Sequence, residues 1–299
     1  MTARPGRKAG VSRAREQASV REQVSVREQA SGGDVPASSE LEERRIYGLA
    51  ACKQRVQHHP EEVRRIWLLE EVAQKHFGPF LRRLAEQRLS YHLVTAAELE
   101  RLTESQHHEG VCLQVLERVV QPVEAYLRQV SRRGRRVVLA LEGVGNPHNL
   151  GAILRIAAHF GVEAVVMPGA RALLSGAALR TAEGGGEHVL ALEAGDFIQT
   201  LTLFKQAGYR VVTTSSHKGS ELFQTPLPER LLLVLGEEQS GLSRAAFEVG
   251  ELCVRIPGTG QVESLNVSVA TGILLAEHWR QHPVRKSASP KGITTGERL

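Results

Sequence analysis

Apolar positions in this chain fall into short runs and helix-period stretches that alternate twice. In the first alternation, Ile66-Trp67-Leu68-Leu69 predicts a buried strand, and Tyr91 to Val94 and Val111 to Val115 predict two more strands. Phe77, Phe80, Leu81 and Leu84 are spaced as one face of a helix over 77–87, and Ala96 to Leu102 predicts a second, shorter helix. The second alternation predicts strands over Val137 to Leu141, Ala164 to Met167, Tyr209 to Thr213 and Leu231 to Leu235. Its helices are expected over Asn149 to Phe160, Phe197 to Ala207 and Ser268 to Trp279. Strands separated by helices imply an α/β fold with a mostly parallel sheet covered on both faces. A ligand of such a sheet lies at the carboxyl ends of its strands.

These rhythms divide the chain into a small α/β domain over 44–120, a linker over 121–136 and a larger α/β domain over 137–282. The linker contains Pro122 and the cluster Arg132, Arg133, Arg135 and Arg136 around Gly134. Residues 283–299 are polar and read as a disordered end. Residues 1–43 hold no aromatic side chain and too little apolar surface to offset the entropy of ordering, so they read as a disordered basic tail. Copies of a short repeat begin every six residues, at Arg15, Arg21 and Arg27, a period that suits neither a heptad nor a 3.6-residue helix. A flexible arm of this kind can neutralise RNA phosphates, or it is a solvated linker.

Composition narrows the function classes. Of 299 residues 41% are hydrophobic, enough for packed cores in about two domains. Apolar residues never run on for the length a membrane helix needs, and the basic start leads into no apolar signal core, so a cytoplasmic protein is expected. The three cysteines, Cys52, Cys112 and Cys253, have no CxxC spacing, which excludes a disulfide framework or zinc cage and predicts reduced, buried thiols. No HExxH occurs among the 12 histidines, so no metal is expected; the pairs His58-His59 and His107-His108 diverge. A formal charge of +5 suits a polyanionic partner.

Chemistry-bearing residues gather at three strand ends. The first segment runs from Leu141 through the turn Asn146-Pro147-His148 into a helix that Asn149 could cap, with Arg155 set among Ile153, Leu154, Ile156 and Ala157. A charge there is expensive unless something anionic or reactive meets it, or unless it pairs with an internal carboxylate. The second follows the apolar run 231–235 with Gly236, where backbone can come close to a ligand, then Glu238, Gly241 and Leu242. The third runs from Ile256-Pro257-Gly258 to Ser264-Leu265-Asn266 at the start of the last helix, two small polar groups where one cap would do. Neither GxGxxG nor GxxxxGK[ST] is present, which removes ordinary dinucleotide and P-loop sites and a Rossmann-type small-molecule methyltransferase. Gly184-Gly185-Gly186 reads as a flexible connection.

In their order and spacing the three segments resemble the motifs of the SpoU-type branch of the SPOUT superfamily, RNA 2′-O-ribose methyltransferases that use S-adenosylmethionine. The match consists of Asn149-x-Gly151-x-x-x-Arg155 with Phe160-Gly161, Gly236-x-Glu238-x-x-Gly241-Leu242, and Ile256-Pro257 leading into Ser264-Leu-Asn-Val-Ser-Val-Ala270. The stretch from Arg45 to Val115 resembles, more loosely, the L30e-like substrate-binding domain that often precedes this fold. The resemblance implies a deep trefoil knot in the larger domain, a homodimer paired through the knotted domains, an RNA partner (ribosomal or transfer RNA) and no membrane. It places the cofactor on Leu235, Gly236, Ile256, Pro257 and Leu265. It assigns Arg155 to the ribose 2′-hydroxyl and makes Asn149, Glu238, Ser264 and Asn266 the groups that position arginine, hydroxyl and cofactor, with no metal. Gly258 stands where the family commonly has methionine, which leaves a second expectation, an RNA-binding factor of the same fold with weak or no catalysis.

Overall fold

The computed structural model describes residues 43–86, 91–131 and 134–283. The tail expected over 1–43 and the end expected over 283–299 fall, but for Glu43 and Pro283, outside the described residues.

The first sheet has four strands: β1 (Glu43–Tyr47), β2 (Val63–Leu68), β3 (Tyr91–Leu93) and β4 (Val111–Leu116), in the order β1-β4-β2-β3. β4 runs antiparallel to both neighbours, and β3 parallel to β2. Ile46, Ile66, Leu68, Leu113 and Val115 point to one face and pack under α1 (Leu49–His58), the short α2 (Glu70–Val72) and α3 (Gly78–Glu86). A wider, π-type turn over Ala73–Phe77 joins the last two, so the helical stretch starts earlier than the apolar spacing predicts. Helix α4 (Ala96–Thr103) starts on a capping box, Thr95 Oγ1 accepting from Glu98 N while Glu98 Oε2 accepts from Thr95 N.

The stretch expected as a linker is instead part of the larger domain. Gln121–Pro122 is β5 at the edge of the large sheet, parallel to β8, and Val123–Gln129 is α5. Val123 and Tyr126 are buried, and the Tyr126 hydroxyl donates to Glu163 (2.8 Å). The pattern conceals this because a two-residue strand has no period and arginines dominate the end of the stretch.

The large sheet continues with β6 (Arg136–Glu142), β7 (Ala164–Met167), β8 (Leu190–Glu193), β9 (Arg210–Thr214), β10 (Ser220–Glu221), β11 (Arg230–Gly236) and β12 (Leu252–Arg255). Its order is β10-β12-β9-β11-β6-β7-β8-β5, and every pairing in it is parallel. Because both faces are covered, its central strands are continuous apolar runs: Val137, Leu139 and Leu141 face one core, Val138 and Ala140 the other. The first core is closed by α6 (Pro147–Phe160), α7 (Gly176–Thr181) and α10 (Val267–Gln281). The second is closed by α5, α8 (Phe197–Gln206) and α9 (Arg244–Val249).

All three cysteines are free; Cys52 and Cys112 are buried as expected, whereas Cys253 is partly exposed. Among the described residues no helix is long and apolar enough to cross a membrane.

Candidate active site

The first two motif segments leave adjacent strands. β6 and β11 pair in parallel with Gly236 opposite Glu142. From β6 the chain crosses one face through α6 to β7; from β11 it crosses the other face through α9 to β12. Connections departing in opposite directions leave a crevice at the carboxyl ends, the switch point at which open parallel sheets bind ligands.

Three side chains from three segments close over this point. Oε1 of Glu238 accepts from Nδ2 of Asn149 (3.0 Å), from Nδ2 of Asn266 (2.7 Å) and from the backbone N–H of Val267 (3.2 Å). Nδ2 of Asn266 also donates to Oδ1 of Asn149 (2.9 Å), which completes a triangle between residues up to 117 positions apart. Oδ1 of Asn266 caps α10, accepting from the N–H of Ser268 (2.9 Å) and of Val269 (3.4 Å). One asparagine therefore ends a loop, starts a helix and holds a carboxylate. Asn149 is not a cap: Asn146 caps α6, its Oδ1 accepting from His148 N (2.9 Å), and Pro147 takes the first helical position. That frees the Asn149 side chain for Glu238.

Gly236 is required by close approach. A Cβ on it would lie 2.3–2.5 Å from the backbone of Gly241 and Leu242, because residues 237–241 fold back over the strand end in a turn closed by Gly241 N to Glu237 O (2.9 Å). Gly241 takes the left-handed φ of 66° that this turn needs. Around it Leu235 is buried, while Ile256 and Pro257 are half-buried. Leu265, next to Asn266, is 42% exposed, and Val262 is 71% exposed. At Gly258 an added Cβ meets nothing within 4 Å, so the missing side chain leaves no defect in the packing. Backbone, not side chains, therefore lines the notch at this strand end.

Arg155 departs from expectation. It lies on the exposed side of α6, so its charge carries no burial cost, and Nη1 donates to Oε1 of Glu183 (2.6 Å) with both side chains about half exposed. Six residues of α-helix separate it from Asn149 by about 9 Å of rise and about 240° of rotation, so within one chain the arginine and the triangle face different ways. Ser264 is exposed and, among the described residues, has no hydrogen-bond partner. The glycine run is packed, not flexible: Gly185 and Gly186 are buried in a 3-10 turn, and a Cβ on Gly185 would lie 2.8 Å from Arg155 Cα.

Spacing alone could not find the partners of that turn. Arg55 of α1, 1% exposed, grips Glu187 with two parallel bonds, Nε to Oε2 and Nη2 to Oε1, both 3.0 Å, and reaches Glu62 with Nη1 (2.9 Å). Arg118 Nη1 donates to Gly186 O. The only available signal was an arginine in an otherwise ordinary amphipathic helix.

In sequence and in fold the chain is similar to known RNA methyltransferases. Residues 136–276 match the model of the SpoU rRNA methylase family, and residues 45–118 that of the RNA 2′-O ribose methyltransferase substrate-binding domain. An uncharacterised tRNA/rRNA methyltransferase, YfiF of Escherichia coli O157:H7, is 47% identical over 83% of this chain and 71% of its own length. The 23S rRNA (guanosine-2′-O-)-methyltransferase RlmB of Pseudomonas putida is 34% identical over 83% of this chain and all of its own. A crystal structure of an RNA 2′-O ribose methyltransferase superposes with a TM-score of 0.67 at 27% identity, covering 81% of this chain and 89% of that one. The chain belongs to the SpoU rRNA methylase family, the S-adenosylmethionine-dependent RNA 2′-O-ribose methyltransferases.

Proposed function

We infer that this RNA 2′-O-ribose methyltransferase modifies ribosomal RNA, that Arg155 meets the ribose hydroxyl, and that Asn149, Glu238 and Asn266 hold the reacting groups in register. The observation that carries the reading is the closed triangle, which joins the ends of three segments at the switch point through one carboxylate oxygen. The RNA assignment draws on RlmB relatives named for 23S rRNA, matched over essentially their whole length.

S-adenosylmethionine, when bound, supplies an electrophilic sulfonium methyl. Gly236, Ile256, Pro257 and Leu265 would hold it through backbone groups and apolar contact, with Leu235 behind them. The guanidinium of Arg155 donates hydrogen bonds to the 2′-oxygen and stabilises the negative charge that grows there as the proton leaves. A guanidinium has no acceptor site for the proton, so the proton passes to an RNA phosphate or to water. Glu238 has Oε1 saturated by three donors and Oε2 free of them among the described residues, which leaves one oxygen for substrate. Ser264, exposed two residues before Asn266, completes this set.

The proposal extends to a cytoplasmic homodimer with a trefoil-knotted larger domain. Exposed Val269 in the first turn of α10 supplies apolar surface for a second copy, which would also bring an arginine toward a triangle that its own chain's Arg155 does not face. In this reading the smaller domain, 44–120, takes RNA and the larger one carries out transfer, which the family matches over 45–118 and 136–276 support.

The test is Arg155→Ala in a labelled-methyl assay on unmodified ribosomal RNA. Transfer is expected to vanish while S-adenosylmethionine affinity holds, and Arg155→Lys is expected not to rescue, because a point charge lacks the planar donor fork. Substantial turnover by the alanine variant would falsify the role.

A further inference from the structure

The six-residue turn from Glu183 to His188 touches Arg155 at one end and the substrate-binding domain at the other. The contact at Arg155 has three unusual features. Glu183 Oε1 is 2.6 Å from Arg155 Nη1, the only polar contact of that guanidinium among the described residues, which leaves Nε and Nη2 open. The two side chains are 57% and 51% exposed, so the pair stabilises the fold little. Yet Glu183 occupies a left-handed conformation, φ 46°, in front of Gly184 at φ 88°. A glycine would sit at position 183 without strain, so an acidic side chain is kept there against the backbone's preference.

The far end of the turn is anchored by a buried ion pair. Glu187 and Arg55 are 4% and 2% exposed at the side chain and joined by two 3.0 Å bonds. Between the ends there is no slack. A Cβ on Gly184 would lie 2.2 Å from the Gln54 side chain of α1, and one on Gly185 would lie 2.8 Å from Arg155 Cα. Helix α1 therefore presses the turn onto α6 at the level of the arginine. A cleft of about 360 Å³ opens at this junction, with Lys53, Arg180 and Glu183 in its wall.

We propose that Glu183 is a positioning residue for Arg155, and that the Arg55–Glu187 bridge sets its position, so that docking of the substrate-binding domain orients the arginine for the ribose hydroxyl. This rests on the reading of Arg155 as the residue that meets that hydroxyl. The bond to Nη1 restricts a long side chain with several rotors and leaves its two remaining donor positions for the ribose.

The experiment uses the full chain, S-adenosylmethionine and ribosomal RNA transcribed without modification. Glu183→Gln keeps the shape and removes the charge. It is expected to lower single-turnover kcat on the order of tenfold to a hundredfold, with RNA KM, cofactor affinity and Tm unchanged, and Glu183→Asp should recover part of the loss. Guanidinium NMR of Arg155 should pass from a resolved, slowly rotating signal to an averaged one, a change that a merely structural role would not produce. Arg55→Lys should lower kcat severalfold, and combining it with Glu183→Gln should cost no more than Glu183→Gln alone, since both act along one path. Multiplying losses overturn the linkage between domains. Unchanged or raised kcat in Glu183→Gln, alongside an inert Arg155→Ala, overturns the positioning role and spares the reading of Arg155. Turnover by Arg155→Ala overturns that reading itself.

Discussion

Replacing Arg55 by alanine should destabilise the protein more than almost any other single change in the small domain. The guanidinium is held by both oxygens of Glu187 and one of Glu62, and its stem is buried in α1. Truncation strands Glu187, whose side chain is 4% exposed, without its bidentate partner, whereas Glu62 at 28% can rehydrate. Leaving one member of a buried pair costs roughly 3–5 kcal/mol, and losing the buried methylenes adds about 1 kcal/mol. For a folded body of this size each kcal/mol lowers Tm by about 2–4 °C, so the midpoint should fall by roughly 10–20 °C. Because the bridge joins two domains, calorimetry should also show the single transition dividing, with the substrate-binding domain melting first. The companion double variant Arg55→Met with Glu187→Leu replaces the charges by apolar groups of similar volume and should lie within about 2 kcal/mol of the parent. An Arg55→Ala midpoint within about 2 °C of the parent, or a double variant as unstable as the single one, refutes the reasoning.

Other outcomes concern single sites. Gly236→Ala puts a methyl 2.3–2.5 Å from the backbone of Gly241 and Leu242, which cannot yield like a side chain; a stability loss of about 1–3 kcal/mol and at least a tenfold loss of cofactor affinity by calorimetry are expected, and native affinity refutes the notch. His278 is fully buried, and desolvation pushes its imidazole down to about 4 despite the hydrogen bond to Pro228 O. The unfolded chain then binds the extra proton first, so this contribution to stability is complete above pH 6.5 and is lost as pH falls from there toward 4; urea midpoints for the parent and His278→Gln should converge across that window. Deleting residues 1–42 should weaken RNA binding and flatten its salt dependence while the methylated nucleotide stays the same, because phosphate contacts carry no sequence information; equal salt slopes sink the arm.

The elements with a clear period were legible. Strands such as Val137 to Leu141 and Leu231 to Leu235, buried on both faces, print themselves as continuous apolar runs, and α10 as a long apolar helix. The site was legible as three clusters of Gly, Asn, Ser and Glu at strand ends, and the structure joins Asn149, Glu238 and Asn266 by direct hydrogen bonds. What stayed hidden depends on partners remote in sequence. Nothing near Arg155 announces Glu183, 28 positions on, and nothing near Arg55 announces Glu187, 132 positions on. The glycine run misleads for a related reason: composition reads Gly-Gly-Gly as freedom, whereas here the missing side chains let α1 and α6 close on one turn.

The expectation of a chain that kept the fold and lost catalysis turned on Gly258 together with the long N-terminal tail, and the structure weakens the argument from Gly258. A residue that matters by filling space leaves a void when it shrinks, and the void costs stability. Gly258 is exposed with open space where its side chain would be, so a longer residue there would have covered a ligand and not supported the loop. The polar frame beneath it is intact: the caps, the bonds to Glu238 and the tight turn over Gly236 each exclude alternatives that a drifting, unused site would accept. Loss of one covering side chain is a change in affinity, which a kinetic series with Gly258→Met would register as a lower KM for S-adenosylmethionine at nearly constant kcat. If Gly258→Met instead raised kcat a hundredfold from a barely measurable level, the natural protein would have to be read as a binder whose chemistry has been let go.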